Sequence, residues 1–267
     1  WQHLFGRAIV NTPDNFGLQG DTPSNPELLD FLATQFVEQG WSVKKLIRSI
    51  MLSSAYEMSN QYNPSAYAKD PDNKLVWRMN RKRLEAEAFR DAILAVSGQL
   101  DSVRGGPALP QRNPANGPPI LDGTIPVQQS ARRSVYLPTL RNNLDDLFLV
   151  FDFPDPHTPM GKRHVTSAAT QALYVMNSPF VQDQAKAWGV RLEKMSDLDD
   201  AARITRAFVE AFSREPNQTE LLRSKAFLNE FMEAAVSKEA DTTARRQLAW
   251  QSFCQALMAS AEFRYLN

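Results

Sequence analysis

Apolar positions recur at helical steps along residues 77–98, WRMNRKRLEAEAFRDAILAVSG. Ala86, Phe89, Ile93, Val96 and Leu100 fall three or four apart, and Leu84, Ala88, Ala92 and Ala95 widen the same face. Such spacing predicts one helix over 77–98 with a buried side. Its charges suit that helix poorly. Arg81, Lys82 and Arg83 would stand at the N-terminal end, where the macrodipole disfavours cations by roughly 0.3–1 kcal/mol each. The Arg81–Glu85 and Arg83–Glu87 spacings run in the weaker orientation for helical pairs. Distant partners such as Asp152 are therefore expected for these cations, with the helix as hub of a buried polar network.

The rest of the chain reads as more helix. WQHLFGRAIV opens as a helix already under way, so a portion preceding Trp1 is expected. The run NTPDNFGLQGDTPSNP, rich in Pro and Gly, follows as an ordered loop. Ser24 with Glu27, and Pro26 in the first turn, form a capping-box pattern for a helix through Leu28, Leu29, Leu32, Phe36 and Val37 that ends at Gly40. Ser42 caps a second helix with the stripe Val43, Leu46, Ile47, Ile50 and Met51. Residues 56–73 read as a connection. Residues 98–132, which include NPANGPP, form a long Pro/Gly-rich loop. RSVYL (133–137) is the one convincing strand, ended by Pro138. Further helices are expected from residue 143, over 167–176 and 179–192, and at about 197–213, 218–236 and 242–262, with Asn217 and Glu220 as a cap. The class is mainly α, a single multi-helix globular domain over 1–267 with long ordered loops and at most one short strand or hairpin.

Charge narrows the partners. Thirty basic and thirty acidic residues cancel, which argues against a general electrostatic grip on nucleic acid or an anionic membrane. No apolar run approaches the roughly 18 residues of a membrane span. With Cys254 alone, a disulfide framework, a CxxC redox pair and a CxxCH haem attachment are all excluded within these residues. The G-x-S-x-G elbow, the phosphate loop, the dinucleotide fingerprint and HExxH are missing. Asp152, Asp155, His157 and His164 crowd one Pro-rich segment, but their spacing matches no closed metal motif. Turn formation and capping is the simpler reading, and no metal is assigned.

What chemistry the chain does offer is a scattered set of arginines, acids and aromatics. Trp77, Arg81, Arg83, Glu85, Arg90, Arg133, Tyr136, Arg141 and Asp152 are the candidate ligand-binding residues. If they converge, a partly buried ion-pair network is the default, since an unpaired buried charge costs several kcal/mol. The functional alternative is an anion or carbohydrate site. There Arg forks take sulfate or carboxylate, and Trp77 or Tyr136 stacks on a sugar ring.

Several blocks are long and idiosyncratic: WQHLFGRAIVNTPDNFGLQGDTPSNPELLDFL, NKLVWRMNRKRLEAEAFRDAILAVSGQLD, RRSVYLPTLRN, VFDFPDP, TQALYVMNSPFV and WQSFCQALMASAEFRYLN. Together they resemble the planctomycete domain of unknown function fifteen fifty-three, essentially from end to end. The resemblance implies a secreted, periplasmic or cell-surface protein in which this region follows a cytochrome c-type domain. It also implies sulfatase-like neighbour proteins and a link to polysaccharide breakdown. Any haem would sit on the upstream domain, none within this chain, and the upstream domains of the same polypeptide are the expected partners. Relatives commonly read PDDFG and SHPELL where this chain has Asn15 and Asn25, and often Asn where it has His157.

Three function classes follow. The first is a helical module of unknown activity that supports or docks an upstream cytochrome c-type redox domain. The second is a catalytic or glycan-binding domain acting on sulfated or acidic polysaccharide. The third is a structural cell-surface protein.

Overall fold

The computed structural model describes residues 1–106, 130–237 and 241–266. Among them twelve α-helices and one two-stranded antiparallel ribbon are formed, so the class is mainly α. The helices are α1 (Gln2–Phe5), α2 (Pro26–Glu38), α3 (Val43–Met51), α4 (Pro64–Lys69), α5 (Ala86–Ser97), α6 (Asp146–Val150), α7 (Ala169–Asn177), α8 (Pro179–Glu193), α9 (Asp200–Phe212), α10 (Gln218–Ala234), α11 (Thr242–Ala259) and α12 (Ala261–Arg264). The ribbon pairs β1 (Lys82–Arg83) with β2 (Tyr265–Leu266). Two compact units result. Unit 1 comprises Trp1–Arg83, Pro159–Arg163 and Tyr265–Asn267, and unit 2 comprises Leu84–Thr158 and His164–Arg264.

Unit 2 holds the larger core. Phe89 and Ile93 of α5, Ala185, Trp188 and Leu192 of α8, Ile204 of α9, and Trp250, Cys254 and Met258 of α11 are all wholly or almost wholly sealed. The axis of this core is the α8–α11 pair. A Cβ on Gly189 would lie 3.1 Å from the backbone N of Gln251 and the backbone C of Trp250, so the two helices meet too closely there for a side chain to fit without a shift. Trp250 stands edge-on to Phe253 at 5.7 Å, and Phe89 stacks on Phe151 at 4.5 Å. Aromatic pairs of this kind are worth about 0.5–1.5 kcal/mol beyond their area. Cys254 lies inside this packing, and burial pushes its thiol pKa well above the ordinary value.

The ends of the helices show why they begin and stop where they do. Asn217 and Glu220 form the expected capping box on α10, each side chain reaching the other's backbone N–H. Asn25, rather than Ser24, caps α2: its side chain accepts from the N–H of Leu28. Ser42 caps α3 as expected. Gly98 closes α5 at φ 77°, a left-handed geometry that glycine adopts at no steric cost.

Two expectations are corrected. The helix expected over 77–98 forms only at Ala86–Ser97, with Glu85 as N-cap and Glu87 in its first turn. Arg81, Lys82 and Arg83 precede it, which removes the conflict with the macrodipole. Apolar spacing concealed the break because Glu85 starts the helix without a side-chain cap hydrogen bond. RSVYL is not a strand: Ser134–Tyr136 is a single 3-10 turn, and the neighbouring Arg132 makes only an isolated parallel bridge with Asp101. Residues 56–73, read as a plain connection, contain α4, capped by Asn63. Of the expected loop at 98–132, residues 107–129 lie outside the described residues.

Unit 1 is more lightly packed. Its buried residues among those described are Phe5, Ile9, Ile50, Asn73 and Arg83. Trp1 stacks on Phe5 at 4.0 Å, Phe5 meets Tyr56 edge-on at 5.8 Å, and Asn80 donates to the carbonyl of Phe5 at 3.0 Å.

Candidate functional site

The segment Asp70–Asn80 of unit 1 is an irregular loop held by its own polar side chains. Asn73, buried, accepts from the N–H groups of Trp77 (2.8 Å) and Arg78 (3.3 Å) and donates to the Arg78 carbonyl (2.8 Å) and to Asn80 Oδ1 (3.0 Å). The Asp70 carboxylate accepts from the N–H groups of Lys74 and Leu75 at 2.9 and 2.8 Å. Trp77 Nε1 donates to the Asp70 carbonyl at 2.7 Å, and the N–H of Met79 donates to the Ser59 carbonyl at 3.0 Å. These bonds hold Val76 at φ 54°. A β-branched residue is a steric outlier in that region, at a cost of about 1–3 kcal/mol. Asx-type bonding to nearby backbone suits Asp70 and Asn73 to such a turn.

The strained loop delivers Arg78, with Arg81 just beyond it, to one cavity of about 530 Å³, lined by Asn60, Gln61, Tyr62, Arg78, Met79, Asn80 and Arg81. The Arg78 guanidinium lies 4.8 Å from the Trp77 ring centre and 5.9 Å from that of Tyr62. Cation–π contact of this kind holds a guanidinium near the rings without using up its N–H donors. Tyr62 and Tyr67, 5.4 Å apart, are both exposed. The lining therefore carries two cations, side-chain amides and an open aromatic ring, with no acid among its residues. Asn80 is already committed to Phe5 and Asn73, so it builds the wall rather than offering a free amide.

Unit 2 has a second cleft, of about 380 Å³, beside the start of α5. Glu85, Glu87, Asp91 and Arg133 rim it, and Phe148 and Phe153, stacked 5.0 Å apart, contribute apolar surface. Asp91 is engaged: its carboxylate accepts from Ser134 N–H and Oγ, each at 2.7 Å, and pairs with Arg133 Nε at 3.4 Å. Arg90, one residue earlier, is sealed in the protein. It donates to the carbonyls of Arg132 (2.9 Å) and Ser130 and to Ser134 Oγ (3.4 Å), and lies 5.6 Å from the Phe180 ring centre. Burial lowers its pKa, opposed by Asp91, Asp145 and Tyr174. This guanidinium is a brace between α5 and the chain at 130–134.

The nine candidates therefore fall in different places. Trp77, Arg81 and Arg83 belong to unit 1. Arg81 lines the larger cavity, Trp77 carries the Arg78 guanidinium beside it, and Arg83 is buried in β1 opposite Tyr265. Glu85 and Arg133 share the smaller cleft of unit 2. Arg90 is internal, Tyr136 receives the Arg132 guanidinium at 5.3 Å from its ring centre, and Arg141 stands exposed in the next turn. Asp152, expected as a partner for arginines, sits at φ 59° and accepts from Thr166 N–H and Oγ at 2.8 Å. Asp155 closes its own turn by accepting from His157 N–H and Thr158 Oγ1, which lowers its pKa. No three His, Cys, Asp or Glu side chains among the described residues are grouped to hold a metal ion.

Sequence reasoning missed Arg78, Tyr62, Asn60 and Gln61, and it missed a further set of ion pairs beside the Arg90–Asp91 network of α5. The dense ion pairs lie on α8–α12. Glu210 accepts from Trp188 Nε1 (2.8 Å), Arg206 Nε (2.7 Å) and both terminal nitrogens of Arg191. Arg214 is shared by Glu220 and Glu262, and Arg246 by Glu193 and Asp200. Within these clusters Arg206–Glu210 is an i,i+4 pair and Asp200–Arg203 an i,i+3 pair, while Arg191–Glu210, Arg214–Glu262 and Arg246–Asp200 join positions far apart in sequence.

No curated protein and no solved structure shows a significant match to this chain. A family profile does match, over residues 1–228 of the 267, from α1 into α10. The chain thus belongs to the PSD1 family, described as a protein of unknown function (DUF1553).

Proposed function

We propose that this chain is a helical recognition module that binds sulfated or uronic polysaccharide outside the cytoplasm, in the service of an upstream cytochrome c-type domain of the same polypeptide. The observation that carries the binding reading is Arg78, in contact with the Trp77 and Tyr62 rings at the edge of an acid-free cavity that also holds Arg81. Guanidinium forks match the geometry of sulfate and carboxylate, and an exposed tyrosine offers a face to a sugar ring. The strained loop at Val76 fits a site whose geometry is fixed before the ligand arrives. The cytochrome and polysaccharide context rests on the family resemblance.

Calorimetric titration with chondroitin sulfate, dextran sulfate and polygalacturonate, with neutral dextran as control, tests the reading. Binding of at least one anionic polymer is expected, weakening with salt. Arg78→Ala should weaken it roughly tenfold or more, the value of one charge-assisted contact, with an unchanged melting temperature. No binding to any of the three, or full binding by Arg78→Ala, refutes it. Cross-linking to the natural upstream region tests the second part, and no contact there would count against it.

A further inference from the structure

Unit 1 also carries a helical hairpin whose outer surface is unusually apolar. No residue of α2 is fully buried, and α3 buries only Ile50. On α2, Leu29, Ala33 and Val37 recur every four residues and are all exposed; on α3, Val43, Ile47 and Met51 do the same. Residues four apart share a helix face, so each helix presents an apolar stripe to the outside. Trp41, between the helices, is 69% exposed and held at φ 59° against the edge of Phe36, and Leu52 is 67% exposed. Helices gain most of their stability from packing an apolar face; Leu28, Leu32, Phe36, Leu46 and Ile50 supply that packing here, and the outer stripes stand open beside it.

The charges beside the stripes are of opposite sign. α2 carries Glu27, Asp30 and Glu38 and no base; α3 carries Lys44, Lys45 and Arg48 and no acid. Among the described residues none of the six makes an ion pair within the chain. Asp30 and Glu38 each follow a stripe residue of α2, and Lys44 and Arg48 each follow one of α3. An acidic stripe and a basic stripe on one hairpin are self-complementary under a two-fold rotation, which brings α2 of each copy onto α3 of the other.

We propose that the outer face of the α2–α3 hairpin is a two-fold interface with a second copy of this chain. Thirteen residues of α2 span about 20 Å, and two helices side by side cover about the same width. Burying that patch on both partners removes on the order of 1,000 Å² in total, at the low end for a specific contact. The dimer is therefore weak, with a dissociation constant in the micromolar range, and salt-sensitive.

Sedimentation equilibrium of the chain from about 1 to 500 µM tests this. A monomer–dimer equilibrium is expected, weakened several-fold by 500 mM NaCl. Lys44→Glu with Arg48→Glu, and separately Asp30→Lys with Glu38→Lys, should each weaken self-association at least tenfold while far-ultraviolet circular dichroism stays unchanged. Mixing the two charge-reversed proteins should restore the dimer, because both cross-pairs then attract. Parent protein that stays monomeric throughout would overturn the proposal and leave the face to a different protein. Self-association that survives both reversals, or reversed proteins that fail to combine, would overturn it equally. Neither pair of substitutions touches the cavity at Arg78, so loss of the dimer and loss of glycan binding are read separately.

Discussion

Glu210→Gln separates the charge of the α8–α9 cluster from its shape. Oε1 receives Arg191 Nη1 at 3.0 Å and Arg206 Nε at 2.7 Å, while Oε2 receives Trp188 Nε1 at 2.8 Å and Arg191 Nη2. A glutamine must turn its amide nitrogen toward one of these two pairs, and an N–H donor then faces two others. Hydrogen bonds to a charged acceptor are worth about 1.5–3 kcal/mol each. The bond from Arg206, whose side chain is 54% exposed, is discounted to about 0.5 kcal/mol as a surface interaction. A net loss of about 3 kcal/mol follows, and at roughly 2–4 °C per kcal/mol the melting temperature drops by about 6–12 °C at neutral pH.

The pH profile supplies the control. Burial alone would raise the Glu210 pKa, but the hydrogen bonds from Arg191, Arg206 and Trp188 outweigh it and the net displacement is downward. A carboxyl whose folded pKa lies below its unfolded value of about 4.3 stabilises the fold above that value. The contribution is lost as the pH falls through the folded pKa. The gap between parent and Glu210→Gln should therefore be constant from about pH 7 to pH 5 and shrink below about pH 4.3. Thermal melts across that series measure it. A drop of under about 2 °C at pH 7, or a gap that persists unchanged into acid, refutes the assignment of Glu210 as the charged centre of this cluster.

Gly189→Ala adds a methyl 3.1 Å from backbone atoms of α11. The gain in helix propensity of about 1 kcal/mol is outweighed by an overpacking cost of about 1–3 kcal/mol, so urea denaturation should show net destabilisation, and a stabilised variant would contradict the close α8–α11 approach. Arg90→Met keeps the stem but orphans the carbonyls of Ser130 and Arg132; it should cost about 2–4 kcal/mol in the same assay, and a change under about 0.5 kcal/mol would show that the brace is dispensable. Glu220, hydrogen-bonded by Arg214 and by the N–H of Asn217, has its pKa drawn down to about 2. Its carboxyl carbon resonance should stay that of a carboxylate as the pH is lowered past the ordinary value near 4.3, and a midpoint above about 4 would contradict the clamp.

Much of the helical architecture was legible because periodicity and caps are local. Asn217 with Glu220, Ser42 and the division at Asn177 all marked real boundaries. The start of α5 was not legible, since Leu84 and Ala86 continue the apolar spacing while Arg83 pairs with Tyr265 in a ribbon 182 positions away in sequence. Nothing local encodes such a pairing. The candidate site was half legible. Trp77 and Arg81 stood out as residue types, but the contact of Arg78 with the Trp77 and Tyr62 rings depends on the bonds of a buried asparagine that composition cannot reveal. The ion-pair clusters of α8–α12 escaped for the same reason, since Arg191–Glu210 and Arg214–Glu262 are distant pairs.

Cys254 gives the α8–α11 core a built-in clock. Its thiol is fully enclosed and its deprotonation suppressed by burial, and only an accessible thiolate reacts with an alkylating or disulfide reagent. Modification must therefore wait for the thiol to be uncovered: at low reagent its rate divided by that of a free thiol gives the open fraction, and at saturating reagent its plateau rate is the rate of opening. With one cysteine in the chain, the signal has a single source. The motion of the close α8–α11 seam can be timed without inserting any label.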